Sequence, residues 1–196
     1  MGEKRRAVFV DRDGTLNVNI DYLSDPERYQ LYPGVAEGLR LLKGAGFVIV
    51  VVTNQSGIAR GFFDEAALER VHERMRSELA RQGAGVDAIY YCPHHPDDGC
   101  ACRKPGTALF ERAARELGIE LRDSYVIGDT HMDVAAGHRI GARTALVPEP
   151  RNRERALAEM AGWEVEPDFV GEDFLSAARW ILRDRSRNEA GQHREQ

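Results

Sequence analysis

Apolar residues along this chain fall into two alternating patterns. Short runs rich in β-branched residues, at 7–10, 47–52, 88–91, 125–127 and 144–147, predict strands buried on both faces. Between them apolar residues recur every three or four positions and predict helices over 35–43, 65–82, 107–117, 132–139 and 174–182. The helix at 65–82 is the clearest. Leu68, Val71, Met75 and Leu79 make one stripe, Asp64 stands ready to cap its start, and Gly83 ends it. Strands alternating with helices predict an α/β fold, a parallel sheet covered on both faces, with its chemistry just beyond the carboxyl ends of the strands. The Arg- and Glu-rich stretch 148–159 reads as a solvated loop and helix face. The polar tail 184–196 lacks an apolar period and is expected to be disordered, leaving one domain over 1–183.

Composition narrows the function classes. With 196 residues, 42% of them hydrophobic, one domain can bury a sizeable core. A net charge of -5 argues against a nucleic-acid coat, and any phosphate must be met by local positive charge. No apolar run approaches the length of a membrane span and the start lacks a signal-peptide pattern, so a cytoplasmic protein with no membrane partner is expected. Nothing demands a partner subunit, and a monomer is expected.

Candidate chemistry sits at the predicted strand ends. The first strand runs into VFVDRDGTLN, where Asp11 and Asp13 would share one side of an extended chain while Arg12 points away. Such a D-x-D also suits an Asx turn; as a functional pair it supplies a nucleophile and an acid/base, and the like charges call for a divalent cation such as Mg²⁺. The second strand ends at Thr53, whose hydroxyl could hold a phosphoryl oxygen with Asn54 nearby; the spacing is not that of a nucleotide P-loop. A later strand ends in GDTHMD, giving Asp129 as a third carboxylate and Asp133 to orient a lysine or a metal-bound water. His72, His131 and His138 carry no assignment.

All three cysteines lie in YYCPHHPDDGCACRKP. Cys92 with His94, and Cys100 with Cys102, form two halves whose side chains point the same way if the backbone is extended. Joined by a turn, they can deliver three sulfurs and one imidazole to a structural Zn²⁺, with His95 as the competitor for His94. Arg103 and Lys104 follow at once and offset the negative charge of such a centre.

Together DRDGT (11–15), Thr53, Lys104 and GDTHMD (128–133) resemble, in order and spacing, the four motifs of the haloacid dehalogenase superfamily of phosphohydrolases. Within it, VVVTNQSGIARG and YYCPHHP followed by C-x-C-R-K-P are similar to the heptose 1,7-bisphosphate 7-phosphatase family, with the related histidinol-phosphate phosphatases as the alternative. The resemblance implies a Rossmann-like three-layer sandwich with no large cap domain. It implies Asp11 as nucleophile, Asp13 as acid/base, and Mg²⁺ held by Asp11, the Asp13 carbonyl and Asp129. Thr53, Asn54 and Lys104 would bind the transferring phosphoryl group. The rest of a sugar bisphosphate would be met by the short loops 54–60 and 92–104, with Gln55, Arg60 and Arg103 as contacts.

Overall fold

A strand covered on both faces must bury every side chain, and Ala7–Val10 does so. The computed structural model of the chain describes residues 4–192. Its six strands are β1 (Ala7–Val10), β2 (Val48–Asn54), β3 (Ala88–Cys92), β4 (Tyr125–Gly128), β5 (Arg143–Leu146) and β6 (Phe169–Val170). They form one parallel sheet in the order β3-β2-β1-β4-β5-β6. The chain therefore builds outward from β1 to β3, then crosses back to β4 on the other side of β1. This is a Rossmann-like three-layer sandwich whose strand order reverses beside β1, where the carboxyl ends of the strands open a crevice.

The helices are α1 (Val35–Gly44), α2 (Glu65–Arg81), α3 (Ala108–Leu117), α4 (His131–Arg139), α5 (Arg153–Met160) and α6 (Phe174–Gln192). Alternation along the strands divides the core. Val8, Val10, Ile49, Val51 and Ile127 face the apolar stripes of α1, α2 and α6. Phe9, Val50, Val52 and Val126 face Leu109, Phe110 and Ala113 of α3 and Ala136 of α4. Asp64 caps α2, accepting from the Ala67 amide at 2.7 Å. At Gly38 on α1 a Cβ would collide with the Phe174 ring, so glycine permits the close approach of α6.

Local expectations are met in part. Thr53 and Asn54 extend β2 beyond the expected run 47–52, in register with Tyr91 and Cys92, so both are held by the sheet. The stretch 148–159, expected as a solvated loop and helix face, holds α5, which buries no residue, whereas the two-residue β6 carries no hydrophobic period from which it could be read. The expected disordered tail is helical as far as Gln192. Its polar residues find partners across the fold: buried Asp184 accepts from the Tyr125 hydroxyl at 2.9 Å and pairs with Arg143, and Arg185 donates to the Ala45 carbonyl. Residues 193–196 of that expectation lie outside the described residues. Among the described residues no helix is long and apolar enough to cross a membrane.

Candidate active site

Asp11 leaves β1 with its amide still donating to the Ile127 carbonyl of β4 at 2.9 Å, so the sheet itself aims this residue. Lys104 arrives from the loop after β3 and is buried. Its ammonium donates to Asp11 Oδ1 (2.7 Å), Asp133 Oδ1 (2.6 Å) and the Val52 carbonyl (2.8 Å), which uses all three N–H groups. Burial works against this charge, but Asp11 and Asp133 outweigh it and hold the lysine above its ordinary range.

Carboxylate oxygens of Asp11, Asp129 and Asp133 lie within 4.8 Å of one another. Burial is the largest influence on Asp11; Lys104 pulls its pKa down, Asp133 and Asp13 push it up, and the balance is about 6 against an ordinary 3.8. Asp129 is raised well above 3.8 by burial and by the charges of Asp11 and Asp133. Asp133 differs in its bonding. Its Oδ2 accepts from the Thr130 hydroxyl (2.7 Å) and amide (3.2 Å) in a capping box at the start of α4, while Oδ1 takes Lys104. Both oxygens are thus engaged, one by the Thr130 cap and one by the Lys104 ammonium. Gly14, at φ +87°, lies so close to Asp129 that a Cβ would fall inside the carboxylate.

Asp13 sits in other company. Arg12 does not point away as an extended chain would require: β1 ends at Val10, the chain turns, and the Arg12 side chain is fully buried beside Asp13. Arg12 donates through Nε to Oδ1 (3.1 Å) and through Nη2 to Oδ2 (2.6 Å). Asn17 adds a bond to Oδ1 (3.0 Å) and Gln55 one to Oδ2 (2.9 Å). Burial would raise the Asp13 pKa; these donors, Arg12 foremost, lower it below 3.8. Sequence reasoning missed Arg12 and Asn17. The only signal was that DRDGTLN places polar residues on both sides of the second aspartate.

The strand-end residues of β2 divide the remaining work. Thr53 accepts from Gln55 Nε2 at 2.8 Å and keeps its own hydroxyl proton. Asn54 lines the cavity at these strand ends and its side chain brackets the Lys104 backbone: its Oδ1 accepts from the Lys104 amide (3.0 Å) and its Nδ2 donates to the Lys104 carbonyl (3.3 Å). That cavity, of about 310 Å³, opens over Asp11, Asp13, Thr53, Lys104 and Asp129, walled by 19–23, 54–57 and Arg103. Arg103 Nη1 is buried without a protein partner. Arg60 is exposed and does not line this cavity, so Arg103 is the arginine facing it.

Beside it, Cys92, His94, Cys100 and Cys102 converge as the alternation predicted. Cys92 Sγ lies 3.2 Å from Cys102 Sγ and 3.5 Å from Cys100 Sγ, and His94 Nδ1 lies 3.1 Å from Cys102 Sγ. A zinc tetrahedron with bonds of about 2.3 Å to sulfur has sulfur–sulfur edges of about 3.8 Å, so the four donors are nearly at coordination spacing. His95 is set apart, its Nδ1 accepting from the Asp97 amide in the following 3₁₀ turn.

Comparison with known proteins agrees with this geometry. A family model described as HAD-hydrolase-like matches residues 101–177. A D-glycero-beta-D-manno-heptose-1,7-bisphosphate 7-phosphatase from Haemophilus influenzae is 42% identical over 184 residues, covering 91% of this chain and 97% of that protein. One of the same name from Bordetella bronchiseptica is 37% identical over 180 residues, covering 91% and 99%. The crystal structure of the D,D-heptose 1,7-bisphosphate phosphatase of B. bronchiseptica, complexed with magnesium and phosphate, superposes with a TM-score of 0.81 at 36% identity, over 91% of this chain and 99% of that one. With near-complete coverage on both sides and the motif residues gathered at the strand ends, this chain belongs to the D-glycero-D-manno-heptose 1,7-bisphosphate 7-phosphatase family of haloacid-dehalogenase-like hydrolases.

Proposed function

We propose that this chain is a Mg²⁺-dependent phosphatase that removes the 7-phosphate of D-glycero-β-D-manno-heptose 1,7-bisphosphate through an aspartyl-phosphate on Asp11. The observation that carries the proposal is the pairing, over one cavity, of a buried Asp11–Asp129 cluster with a second carboxylate, Asp13, kept in different electrostatic surroundings. Asp11 and Asp129 are hard oxygen donors whose carboxylates are pushed toward protonation by burial and mutual repulsion, a conflict that a divalent cation relieves. They would hold Mg²⁺ together with the Asp13 main-chain carbonyl, and the bound ion supplies the charge that lets an anionic nucleophile meet an anionic ester.

The chain's own residues do the rest. Asp11 attacks phosphorus in line and the bond from phosphorus to the sugar oxygen breaks. Asp13 gives a proton to the departing oxygen, then takes one from the water that cleaves the aspartyl-phosphate and restores Asp11. Lys104, steered by Asp133 and by the Asn54 bracket, and the Thr53 hydroxyl hold the phosphoryl oxygens, where charge spreads in a loose transition state. Cys92, His94, Cys100 and Cys102 would hold a structural Zn²⁺ with no open position, fixing the loop that ends in Arg103 and Lys104.

Arg103, the arginine that lines the cavity, supports a second anionic group over the cationic amine of histidinol phosphate. We read the chain as one domain acting as a cytoplasmic monomer, with no nucleic-acid or membrane partner, which light scattering can check. The decisive assay is kcat/KM for the β-heptose bisphosphate and for histidinol phosphate, with rapid-quench trapping of phosphate on Asp11. A preference of about 100-fold or more for the bisphosphate is expected, of the size set by one charged contact or two. Equal or reversed preference would overturn the substrate assignment.

A further inference from the structure

We infer that Arg12 is a positioning residue for Asp13: its paired Nε and Nη2 donors fix the plane of that carboxylate so that Oδ2 is the oxygen presented for proton transfer. The inference rests on the acid/base role proposed for Asp13 and adds to it the residue that aims the group.

A guanidinium with no solvent exposure is costly in a protein interior unless it is paired, and an arginine kept there purely for packing could be replaced by an apolar side chain. Arg12 keeps both N–H groups of Nη1 buried without a protein partner, a cost tolerated where the remaining contacts serve a function. Those contacts are two parallel bonds to one carboxylate, at 3.1 and 2.6 Å, a fork that defines the carboxylate plane as well as its charge.

A carboxylate has about four in-plane acceptor positions, and Asp13 has four donors: Arg12 Nε and Asn17 on Oδ1, Arg12 Nη2 and Gln55 on Oδ2. To give or take a proton, one donor must yield. Arg12 and Asn17 are fully buried, and Asn17 Nδ2 is also tied to the Val18 carbonyl at 2.9 Å. Gln55 lines the cavity, and its Nε2 is already shared with Thr53 Oγ1, so it can release Oδ2 and keep a partner. Oδ2 is therefore freed on the cavity side while Oδ1 stays anchored by Arg12 and Asn17.

The test uses the full-length, magnesium-loaded protein and a double-mutant cycle of Arg12→Met with Asp13→Asn, assayed on an alkyl phosphate such as the heptose bisphosphate. Arg12→Met should lower kcat about 10- to 100-fold with KM changed less than about twofold, within the range of losing an acid/base contribution. In the Asp13→Asn background the same substitution should cost less than about twofold. Arg12→Lys, which keeps a buried cation but loses the fork, should behave like Arg12→Met on kcat and fold more readily. A phosphate ester with an acidic phenol leaving group, which needs little protonation, should be much less affected in its phosphoenzyme-forming step. An undiminished Arg12→Met effect in the Asp13→Asn background, a loss confined to KM, or full activity in Arg12→Lys would overturn the inference and leave the phosphatase reading standing. Wild-type turnover in Asp13→Asn would sink the acid/base role itself.

Discussion

Replacing Lys104 by Met preserves the length of the side chain and removes its charge. Three buried acceptors, on Asp11, Asp133 and Val52, then lose their donor. Removing one partner of a buried pair costs about 3–5 kcal/mol, and part of that cost should depend on pH. With Lys104 present, Asp11 titrates at about 6 instead of 3.8. A carboxyl whose folded pKa is raised contributes most below its unfolded pKa, and that contribution is lost as pH rises through the folded pKa. Lys104 is the strongest influence pulling Asp11 down, so without it the upper end of this window moves above pH 6. At about pH 5 both proteins hold Asp11 largely protonated and the group adds no difference. Above about pH 6 the wild type loses no more stability through this group, whereas the variant continues at about 1.4 kcal/mol per unit until its own higher pKa, an extra loss of up to about 2 kcal/mol by about pH 7.5. Urea denaturation in magnesium-free buffer, with one equivalent of zinc retained, measures both values. A destabilisation of Lys104→Met that is equal at the two pH values, or smaller at the higher one, would refute the reasoning.

Two further outcomes follow from other parts of the molecule. Stripping zinc, or the change Cys100→Ser, should raise KM and lower kcat while leaving magnesium affinity within about threefold, because the loop holds Arg103 and Lys104 but contributes no carboxylate; kinetics with metal content measured on the same sample check this, and normal kinetics in zinc-free protein would contradict it. Burial and the nearby Arg12 charge push His72 down to about 4 from 6.5, so its contribution is present above pH 6.5 and lost as pH falls toward 4. The stability of the wild type relative to His72→Gln should accordingly fall by about 3 kcal/mol across that window, and a pH-independent difference would count against the placement.

The residues that could be read from the chain alone are those fixed by strand ends. In a parallel sheet the residue after each apolar run must emerge at the carboxyl edge, so Asp11, Thr53 and Asp129 reach one crevice by topology. The convergence of Cys92, His94, Cys100 and Cys102 was legible for a similar reason, a two-residue spacing on extended backbone. What could not be read depends on contacts between distant segments. Arg12 turns inward because the chain leaves β1 at Val10, and Asn54 turns to the Lys104 backbone because β3 brings that loop alongside β2. The last helix is long because Asp184 and Arg185 meet Tyr125, Arg143 and Ala45, partners between 41 and 140 positions away. A polar tail and a polar docked helix look the same until those partners are known.

The two aspartates of the D-x-D motif, two positions apart, are driven in opposite directions, and the direction is the reverse of what the first chemical step needs. Without a cation, burial and carboxylate repulsion favour a proton on Asp11, while the Arg12 fork favours an anion at Asp13. Attack on phosphorus requires an ionised Asp11. Magnesium binding must therefore compete with protons at Asp11 and Asp129, and its affinity should record that competition. Below about pH 6 the apparent Kd should weaken by about tenfold per pH unit as a proton on Asp11 is displaced, and the raised Asp129 adds to the protons released. Isothermal titration calorimetry in buffers of different ionisation enthalpy measures both the affinity and the protons released. Asp11→Asn cannot take up that proton and should lose this dependence on Asp11. A wild-type Kd that is flat from about pH 7.5 to about 5, with no proton release, would mean that the carboxylates are ionised before the metal arrives and that their repulsion is relieved by some other contact.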